Sequence, residues 1–497
     1  MNTGEILTLK DNLPVLIVVF PFLFAFFTGI FGSFKRFICF PLALIGVICS
    51  LISSLFGFCL VYNQRKDIVY TLGGWTRDIG ISFYLNSYNA SLLFLINLSI
   101  LFVLLYSRRV IILKFPDRLY AFYSLILLFL TGILGIVITG DAFNLYVFLE
   151  IVSLSSYAMI ALNGKESYVA ALRYLIIGTV GATFYLLGVG ILYLKTGNLN
   201  MSEIHNAIIS QTNLLSIKAA FLFITIGFSI KFAFFPFHSW LPFAYSKTIN
   251  TVSAVMAPIV TKVTIFALIK VIVLVFGLSY VFSFTCLKFL FSSVLAPIGM
   301  IYFSLKAFSQ KNIRLSFCYI LLMECSLMFG ALFLNNILSY QITMYHIALD
   351  IIMTLSLFLF VGVLETYFRV YNFSDLESVN IFKLNPTFCI LFFVTCLSVL
   401  GIPPTGGFFS KFYIILAAFT AHVYFFPVCL IVSSFIILVV FLRIFEKLYF
   451  NTKKAIEGAN NKVPVIMLLI FFVNAFLILG FGFNFNLILK KIISLYF

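Results

Sequence analysis

The chain of 497 residues is 63% apolar and only 10% charged, and its mean hydropathy is +1.15. Soluble domains carry roughly 25% charged residues, so this composition excludes a soluble or peripheral protein. The apolar residues form long blocks that do not alternate with polar residues, which excludes a β-barrel. The formal net charge of +16 fits Lys and Arg in the loops of a membrane protein and does not indicate a nucleic-acid partner.

The apolar blocks predict an all-α polytopic membrane protein of about fourteen transmembrane helices. The first block follows Glu5, Lys10 and Asp11 and lacks both the basic start and the cleavage site of a signal peptide, so we expect it to be the first helix. In chain order the predicted spans are 14–31, 38–61, 88–106, 118–138, 141–162, 168–194, 216–245, 248–277, 281–305, 315–336, 341–368, 386–424, 427–449 and 463–488. The polar stretches between them are too short to bury a soluble core.

The loop charges predict the orientation. Loops after even-numbered helices carry few basic residues, most of them in the long second loop with Arg65, Lys66 and Arg77. Loops after odd-numbered helices, with the helix ends beside them, contain Lys35, Arg36, Arg108, Arg109, Lys114, Arg118, Lys165, Arg173, Lys306, Lys311, Arg314, Arg369, Lys383, Lys447, Lys453, Lys454 and Lys462. Because basic loops stay in the cytoplasm, we expect a multi-pass protein of the bacterial inner membrane with both termini in the periplasm.

Two of the predicted helices, 216–245 and 386–424, are unusually long and contain proline in the middle. Pro236 interrupts the seventh helix, and Pro403 and Pro404 interrupt the twelfth, because proline removes a backbone donor and clashes with the preceding turn. Two broken helices five positions apart predict two inverted five-helix repeats, helices 4–8 and 9–13. The predicted domains are 1–117 (three N-terminal helices), 118–277 (first repeat), 278–450 (second repeat) and 451–497 (the last helix).

Ionisable residues within the predicted helices are candidates for function, because an isolated charge at the bilayer centre costs about 2.5–3.5 kcal/mol. We expect Lys270 and Lys288 to extend to an interface or to pack near a loop. Lys231 and Lys411 lie beside the two proline breaks, where freed carbonyls and an ammonium form a polar pocket in which a proton is lost or regained. The full set is Glu150, Lys231, Lys262, Lys270, Lys288, Glu324, Asp350 and Lys411.

Glu150 admits two interpretations. It pairs with a neighbouring lysine merely to join two helices, or it takes part in a proton path. Buried ion pairs stabilise proteins poorly by themselves, which favours the second interpretation.

No cofactor or metal motif is present in the sequence. The nine Cys show no CxxC and no metal-ligand spacing, and the four His are scattered. There is no flavin, iron–sulfur or nucleotide motif, so we expect this chain to carry no cofactor and to perform no redox step itself.

Four stretches resemble the proton-conducting antiporter-like family, which comprises the L, M and N subunits of respiratory complex I and the A and D subunits of Mrp-type Na⁺(K⁺)/H⁺ antiporters. These stretches are TGDAFNLYVFLEIVSLSSYAMIAL (139–162), IKFAFFPFHSWLP (230–242), TVSAVMAPIVTKV (251–263) and LGIPPTGGFFSKF (400–412). With the helix number and the two broken helices, the resemblance covers nearly the whole chain.

The resemblance implies a proton path. In it, Glu150 pairs with Lys231, and Lys262 passes protons toward Lys411. The family histidines on the connecting polar axis correspond to His238 and His346. A lone histidine is more often a packing residue, so both interpretations stay open for these two.

The sequence also departs from the family. Asp350 stands where a lysine is common, Glu324 where glutamine is frequent, Ile249 where proline is common, and Phe243 where an acid usually follows WLP. An acid in place of a lysine reverses the charge on the route between Lys262 and Lys411. These changes also permit a member that has kept the fold and lost transport.

The leading hypothesis is a proton- and cation-translocating subunit of a multisubunit antiporter similar to the Mrp D subunit, to which TGDAFNLYVFLEI is most similar. The first alternative is an N- or M-like proton-pumping subunit of NADH–quinone oxidoreductase; Lys411, where the M subunit has glutamate, favours N over M. The second is a non-transporting scaffold subunit. The implied partners are other membrane subunits, the lipid bilayer and H⁺, with Na⁺ or K⁺ undecided.

Overall fold

The computed structural model describes residues 11–64, 67–75, 80–209, 214–378, 381–449 and 463–489. Several residues used to predict the orientation lie outside these ranges, namely Arg65, Lys66, Arg77, Lys453, Lys454 and Lys462. Glu5, Lys10 and both chain ends lie outside them as well.

The described chain is almost entirely helical. In chain order the helices are α1 (Leu13–Phe34), α2 (Cys39–Gln64), α3 (Ser87–Lys114), α4 (Leu119–Ile138), α5 (Ala142–Ala161), α6 (Lys165–Thr196), α7 (Met201–Ile208), α8 (Leu215–Lys231), α9 (Trp240–Lys247), α10 (Asn250–Val271), α11 (Leu278–Phe282), α12 (Thr285–Leu287), α13 (Ala296–Ser309), α14 (Ile313–Leu332), α15 (Ile337–Val363), α16 (Ile381–Leu384), α17 (Pro386–Leu400), α18 (Gly406–Thr420), α19 (Phe425–Tyr449) and α20 (Val465–Phe483). Short π-helical segments follow α10 (Ile272–Phe276), α12 (Lys288–Leu295) and α15 (Leu364–Phe368).

The predicted class of an all-α polytopic membrane protein is confirmed. Within the described residues, 12 helices are long and apolar enough to cross a membrane. The predicted seventh helix is divided into α8 and α9, of 17 and 8 residues, and the predicted twelfth into α17 and α18, of 15 residues each. The inverted repeat and the four-domain division stay predictions.

Asparagine and aspartate side chains begin several of these helices. Asn86 accepts a hydrogen bond from the backbone N–H of Asn89, and Asn312 accepts one from that of Leu315. Asp141 does the same at α5, so that a buried carboxylate fixes the start of the helix that carries Glu150. Each cap satisfies a donor that the first turn leaves unpaired, which matters most where water is scarce.

The chain forms two compact units, residues 1–231 with 263–281, and residues 232–262 with 282–497. In the first unit, α6 packs along α8, and α1 packs against α2 and α4. A two-stranded antiparallel hairpin, β1 (Ile68–Thr71) and β2 (Ser82–Leu85), lies between α2 and α3 and was not predicted.

In the second unit, α13 packs against α14 and α19, and α15 packs against α14, α17, α18 and α20. Helix α15 is buried from Ser339 to Val363 on all of its faces. It is therefore the central helix of this unit, and its polar side chains can only meet other protein groups.

Candidate functional site

The first broken helix ends at a lysine. Helix α8 stops at Lys231, Ala233 takes a left-handed conformation with φ of 59°, and the Phe235–Pro236 peptide bond is cis. The helical course resumes at Trp240 in α9. The break places the buried ammonium of Lys231 at a helix end inside the protein, where non-helical backbone is tolerated at membrane depth.

Lys231 lies beside the glutamate of α5 with which the family resemblance pairs it. Nζ lies 3.5 Å from Oε1 of Glu150 and donates a hydrogen bond of 2.6 Å to Oγ of Ser153, one turn further along α5. The Lys231 side chain is 5% exposed and that of Glu150 is 22% exposed. The 3.5 Å separation and the partial exposure of the carboxylate make Lys231 and Glu150 a loose ion pair. The hydrogen bond from the ammonium to Ser153 is the shorter of its two contacts.

The second broken helix brings two helix ends very close together. Gly401, with φ of 80°, ends α17, and the cis Pro403–Pro404 bond leads into α18 at Gly406. A Cβ atom at Gly407 would overlap the carbonyl oxygen of Ser398, so only glycine permits this approach. The approach brings Lys411 over the carbonyl end of α17.

Lys411 is held by a carboxylate and a freed carbonyl. Its Nζ lies 2.8 Å from Oε1 of Glu324 on α14 and donates a 2.5 Å hydrogen bond to the carbonyl oxygen of Val399. Both side chains of the ion pair are buried. Glu324 is therefore the partner of the lysine at the second break, as Glu150 is at the first.

His346 joins this cluster. Its Nε2 lies 3.1 Å from Oε2 of Glu324, and its Nδ1 lies 2.8 Å from Oγ of Ser410, which also lies 3.0 Å from the carbonyl oxygen of Gly407. With a neutral ring, the Ser410 hydroxyl donates to Nδ1. With a charged ring, Nδ1 donates to Oγ, and the hydroxyl donates to Gly407. The ring thus keeps its contact with Ser410 in either protonation state.

Lys262 is paired with the acid that replaces the family lysine. Its Nζ lies 3.2 Å from Oδ2 of Asp350, and it donates hydrogen bonds to Oγ1 of Thr354 at 3.0 Å and to the carbonyl oxygen of Ala257 at 3.3 Å. Lys262 and Asp350 are both fully buried. Two opposite charges in contact are tolerated here, where two lysines would repel each other.

The two pairs of the second unit are connected through α15. His346 and Asp350 are four residues apart on this helix and therefore lie on the same face, one turn from each other. Buried polar groups thus follow one another from Lys262 through Asp350, His346 and Glu324 to Lys411.

His238 and Lys270 have other surroundings. The His238 ring packs against the rings of Phe235, Tyr302 and Phe303, and its Nδ1 has no hydrogen-bond partner among the described residues. Lys270 is buried inside the protein. It is 3% exposed and donates hydrogen bonds of 2.9 and 3.0 Å to the carbonyl oxygens of Ile136 and Val137 in the last turn of α4.

Lys288 lies near a loop, as expected, and donates a 2.7 Å hydrogen bond to the carbonyl oxygen of Ala421 just after α18. Its side chain takes no part in the ion pairs described above. The interpretation of Lys288 as a residue packed near a loop agrees with this contact.

One buried ion pair was not predicted from the sequence. Arg314, counted among the loop charges, forms a bidentate pair with Glu365 and donates a 2.6 Å hydrogen bond to the carbonyl oxygen of Thr248. Both charged side chains are 9% exposed. The guanidinium thereby joins the start of α14 to the π-helical segment that follows α15 and to the segment after α9.

The family follows from comparison with known proteins. The family model described as "NADH:quinone oxidoreductase/Mrp antiporter, TM" matches residues 139–437, more than half of the chain. The chain belongs to this family. The matched region includes Glu150, Lys231, Lys262 and Lys411.

The relatives come from two kinds of complex. The N subunit of NADH-quinone oxidoreductase from Desulforudis audaxviator is 34% identical over 91% of this chain and 89% of its own length. The D subunit of the Na(+)/H(+) antiporter from Alkalihalophilus pseudofirmus is 29% identical over 95% of this chain and 94% of its own length.

Solved structures share the fold. A chain of the Mrp complex from Dietzia sp. DQ12-45-1b is 20% identical with a TM-score of 0.85, and the match covers 98% of both chains. A chain of the membrane-bound sulfane sulfur reductase, an archaeal respiratory membrane complex, is 23% identical with a TM-score of 0.87 over 97% of this chain and 96% of that one. At these identities the likeness establishes the fold alone.

Proposed function

We propose that the chain is a proton- and cation-translocating membrane subunit of a multisubunit monovalent cation/proton antiporter, similar to the D subunit of the Mrp type. The observation that carries the proposal is the pairing of a lysine beside each broken helix with a glutamate on another helix, Lys231 with Glu150 and Lys411 with Glu324. Relatives named as D subunits of Na(+)/H(+) antiporters support it.

The chemistry of the first pair is electrostatic. Burial disfavours the charged form of Lys231, whereas Glu150 favours it, so the two effects oppose each other. When the carboxylate moves away or is itself protonated, the ammonium loses its main stabilising charge and releases its proton.

In the second unit the proton has a series of adjacent positions. Asp350, His346 and Glu324 lie between Lys262 and Lys411, and each can bind a proton. Asp350 therefore supplies a proton acceptor in place of the family lysine and keeps this segment near neutrality. Proton movement along it needs no unpaired buried charge, which would cost several kcal/mol.

The proposal also implies the location of the protein and its partners. The chain is a multi-pass membrane protein, and we place it in the bacterial inner membrane with both termini in the periplasm, because Lys and Arg are concentrated in the loops after odd-numbered helices. Its partners are the other membrane subunits of the complex and the surrounding lipid. The proton path in this chain uses no cofactor.

Reconstituted vesicles test the proposal. The intact complex is placed in vesicles containing a pH-sensitive dye, and proton movement is driven by a Na⁺ or K⁺ gradient. Glu150→Gln and Lys231→Ala should abolish proton movement without loss of assembly, and Glu150→Asp should keep more activity than Glu150→Ala. Native rates in Glu150→Gln and Lys231→Ala would instead support a scaffold role.

A proton-pumping subunit similar to the N subunit of NADH–quinone oxidoreductase is the second candidate. The observation that favours it is the 34% identity to the N subunit from Desulforudis audaxviator. Purifying the native complex in mild detergent and identifying its companions separates the two. Small antiporter subunits support the first candidate, and peripheral flavin and iron–sulfur subunits support the second.

A further inference from the structure

The oxygen atoms around Lys262 resemble the ligand shell of a monovalent cation. The ammonium meets a carboxylate oxygen of Asp350, the hydroxyl oxygen of Thr354 and the carbonyl oxygen of Ala257, at 3.2, 3.0 and 3.3 Å. The Thr354 hydroxyl donates to Oδ1 of Asp350 at 3.0 Å, so its lone pairs face the ammonium. Hard oxygen ligands of these kinds are the ones that alkali and alkaline-earth cations prefer.

The ammonium fills this shell imperfectly. Oδ2 of Asp350 receives no hydrogen bond of normal geometry from the described residues, although Nζ is 3.2 Å away. An ammonium must direct its three N–H bonds at its acceptors, whereas an alkali cation has no such directional requirement. A spherical cation at this position would contact all three oxygens at once.

The other two lysines of the site lack this combination. Among the described contacts, Lys231 meets a carboxylate and a hydroxyl, and Lys411 meets a carboxylate and a carbonyl. The carboxylate that Lys411 meets belongs to Glu324, which also contacts His346. Carboxylate, hydroxyl and carbonyl ligands converge at Lys262.

The charge of the shell selects a monovalent ion. Asp350 supplies one negative charge, so Na⁺ or K⁺ would be neutralised there and a divalent ion would leave an excess charge in the membrane. Cys325 on α14 interacts electrostatically with both Lys262 and Asp350, and His346 lies one turn from Asp350 on α15, while Glu324 is already paired with Lys411. In the part of the chain that is described, no group of three or more His, Cys, Asp or Glu could hold a metal ion.

We infer that Asp350, Thr354 and Ala257 form a Na⁺ or K⁺ site that the Lys262 ammonium occupies when no cation is bound. The inference rests on the proposed function and supplies its second ion. As a cation enters, Lys262 releases a proton to water, and its neutral amine remains as an uncharged lone-pair donor. A cation is exchanged for a proton, and the charge of the site does not change.

Calorimetry on the full-length chain in its purified complex tests this exchange. Na⁺ or K⁺ is titrated separately in two buffers of different ionisation enthalpy, which reports the protons released for each cation bound. We expect saturable binding coupled to proton release in the native protein. Asp350→Asn should lose the binding, and Thr354→Val should weaken it about tenfold or more, because a hydrogen-bonding ligand of a charged group is lost.

Two further variants separate loss of the site from loss of the fold. Lys262→Met removes the competing ammonium, so it should bind the cation without releasing a proton. Lys262→Met combined with Asp350→Asn contains no unpaired buried charge, and it should bind no cation. Asp141→Asn makes the same acid-to-amide change at a helix cap and should bind like the native protein.

The inference is overturned if the native complex shows no saturable binding, if binding survives in the combined variant, or if Lys262→Met still releases a proton. Two separate measurements distinguish failure of the cation site from failure of the proposed function. Glu150→Gln should stop proton movement in vesicles and keep the cation binding measured by calorimetry. Native proton movement in Glu150→Gln with loss of cation binding in Asp350→Asn would reject the proposed path and keep the cation site.

Discussion

The Nζ atom of Lys411 lies 2.8 Å from Oε1 of Glu324, with both side chains buried, whereas Lys231 lies 3.5 Å from a Glu150 side chain that is 22% exposed. The two lysines beside broken helices are thus held with different strength. Separating the Lys411 pair leaves two buried charges, whereas Glu150 retains some contact with its surroundings outside the protein. The Lys231–Glu150 pair is therefore easier to separate than the Lys411–Glu324 pair.

Glu324→Gln should therefore lower the melting temperature of the purified protein more than Glu150→Gln does. Breaking a fully buried pair costs about 3–5 kcal/mol because the remaining ammonium is unpaired. Thermal unfolding followed by intrinsic fluorescence in detergent measures both variants. Combining Glu324→Gln with Lys411→Met should recover part of the loss, and equal melting temperatures for the two glutamine variants would contradict the difference in pair strength.

His346→Gln should fold normally and translocate protons poorly. Glutamine can replace hydrogen bonds to Glu324 and Ser410, but it cannot bind a proton as the ring can. Proton movement in vesicles, measured across a pH series, checks this expectation. The control is His422→Gln, an exposed histidine that contacts Tyr424. Native rates in His346→Gln would show that the ring only packs.

The helices and the first ion pair could be predicted from the sequence, because hydropathy and proline position act locally along the chain and the family resemblance covers Glu150 and Lys231. The pairing of Asp350 with Lys262 could not. A helical period tells which face a side chain occupies, but its partner on another helix depends on packing, so the sequence showed a charge reversal and did not show the lysine that lies beside it. Arg314 was missed for a related reason. Loop charges at helix ends are usually solvated, but this guanidinium turns inward to Glu365.

Gly407→Ala should prevent normal folding or assembly. The added Cβ would overlap the Ser398 carbonyl oxygen, and neither atom belongs to a flexible side chain that could move aside. The yield of monodisperse protein after size-exclusion chromatography measures the effect. Gly190→Ala in α6 is the matched control, since nothing lies within 4 Å of its Cβ position, and it should be tolerated. A native yield for Gly407→Ala would show that α17 and α18 can separate without harm.

Arg314→Met should lower the melting temperature strongly, and Arg314→Met with Glu365→Leu should recover most of the loss. Removing one partner leaves Glu365 charged and buried, at a cost of about 3–5 kcal/mol, whereas replacing both partners by apolar groups is often neutral. Recovery should be incomplete because the carbonyl oxygen of Thr248 also loses its donor. If the double variant melts no higher than Arg314→Met, the loss does not come from the unpaired Glu365 carboxylate.

Lys270→Met should lower the melting temperature and leave proton movement close to the native rate. The buried Lys270 side chain donates to two carbonyl oxygens in the last turn of α4 and contacts no carboxylate in the described residues. Removing it leaves these carbonyl oxygens without that donor, and a buried unsatisfied group costs about 1–3 kcal/mol. Lys231→Met is the matched comparison, because it removes an ammonium that is paired with an acid and should stop proton movement. Loss of proton movement in Lys270→Met at an unchanged melting temperature would instead make Lys270 a proton carrier, and the path through the first unit would then need a second lysine.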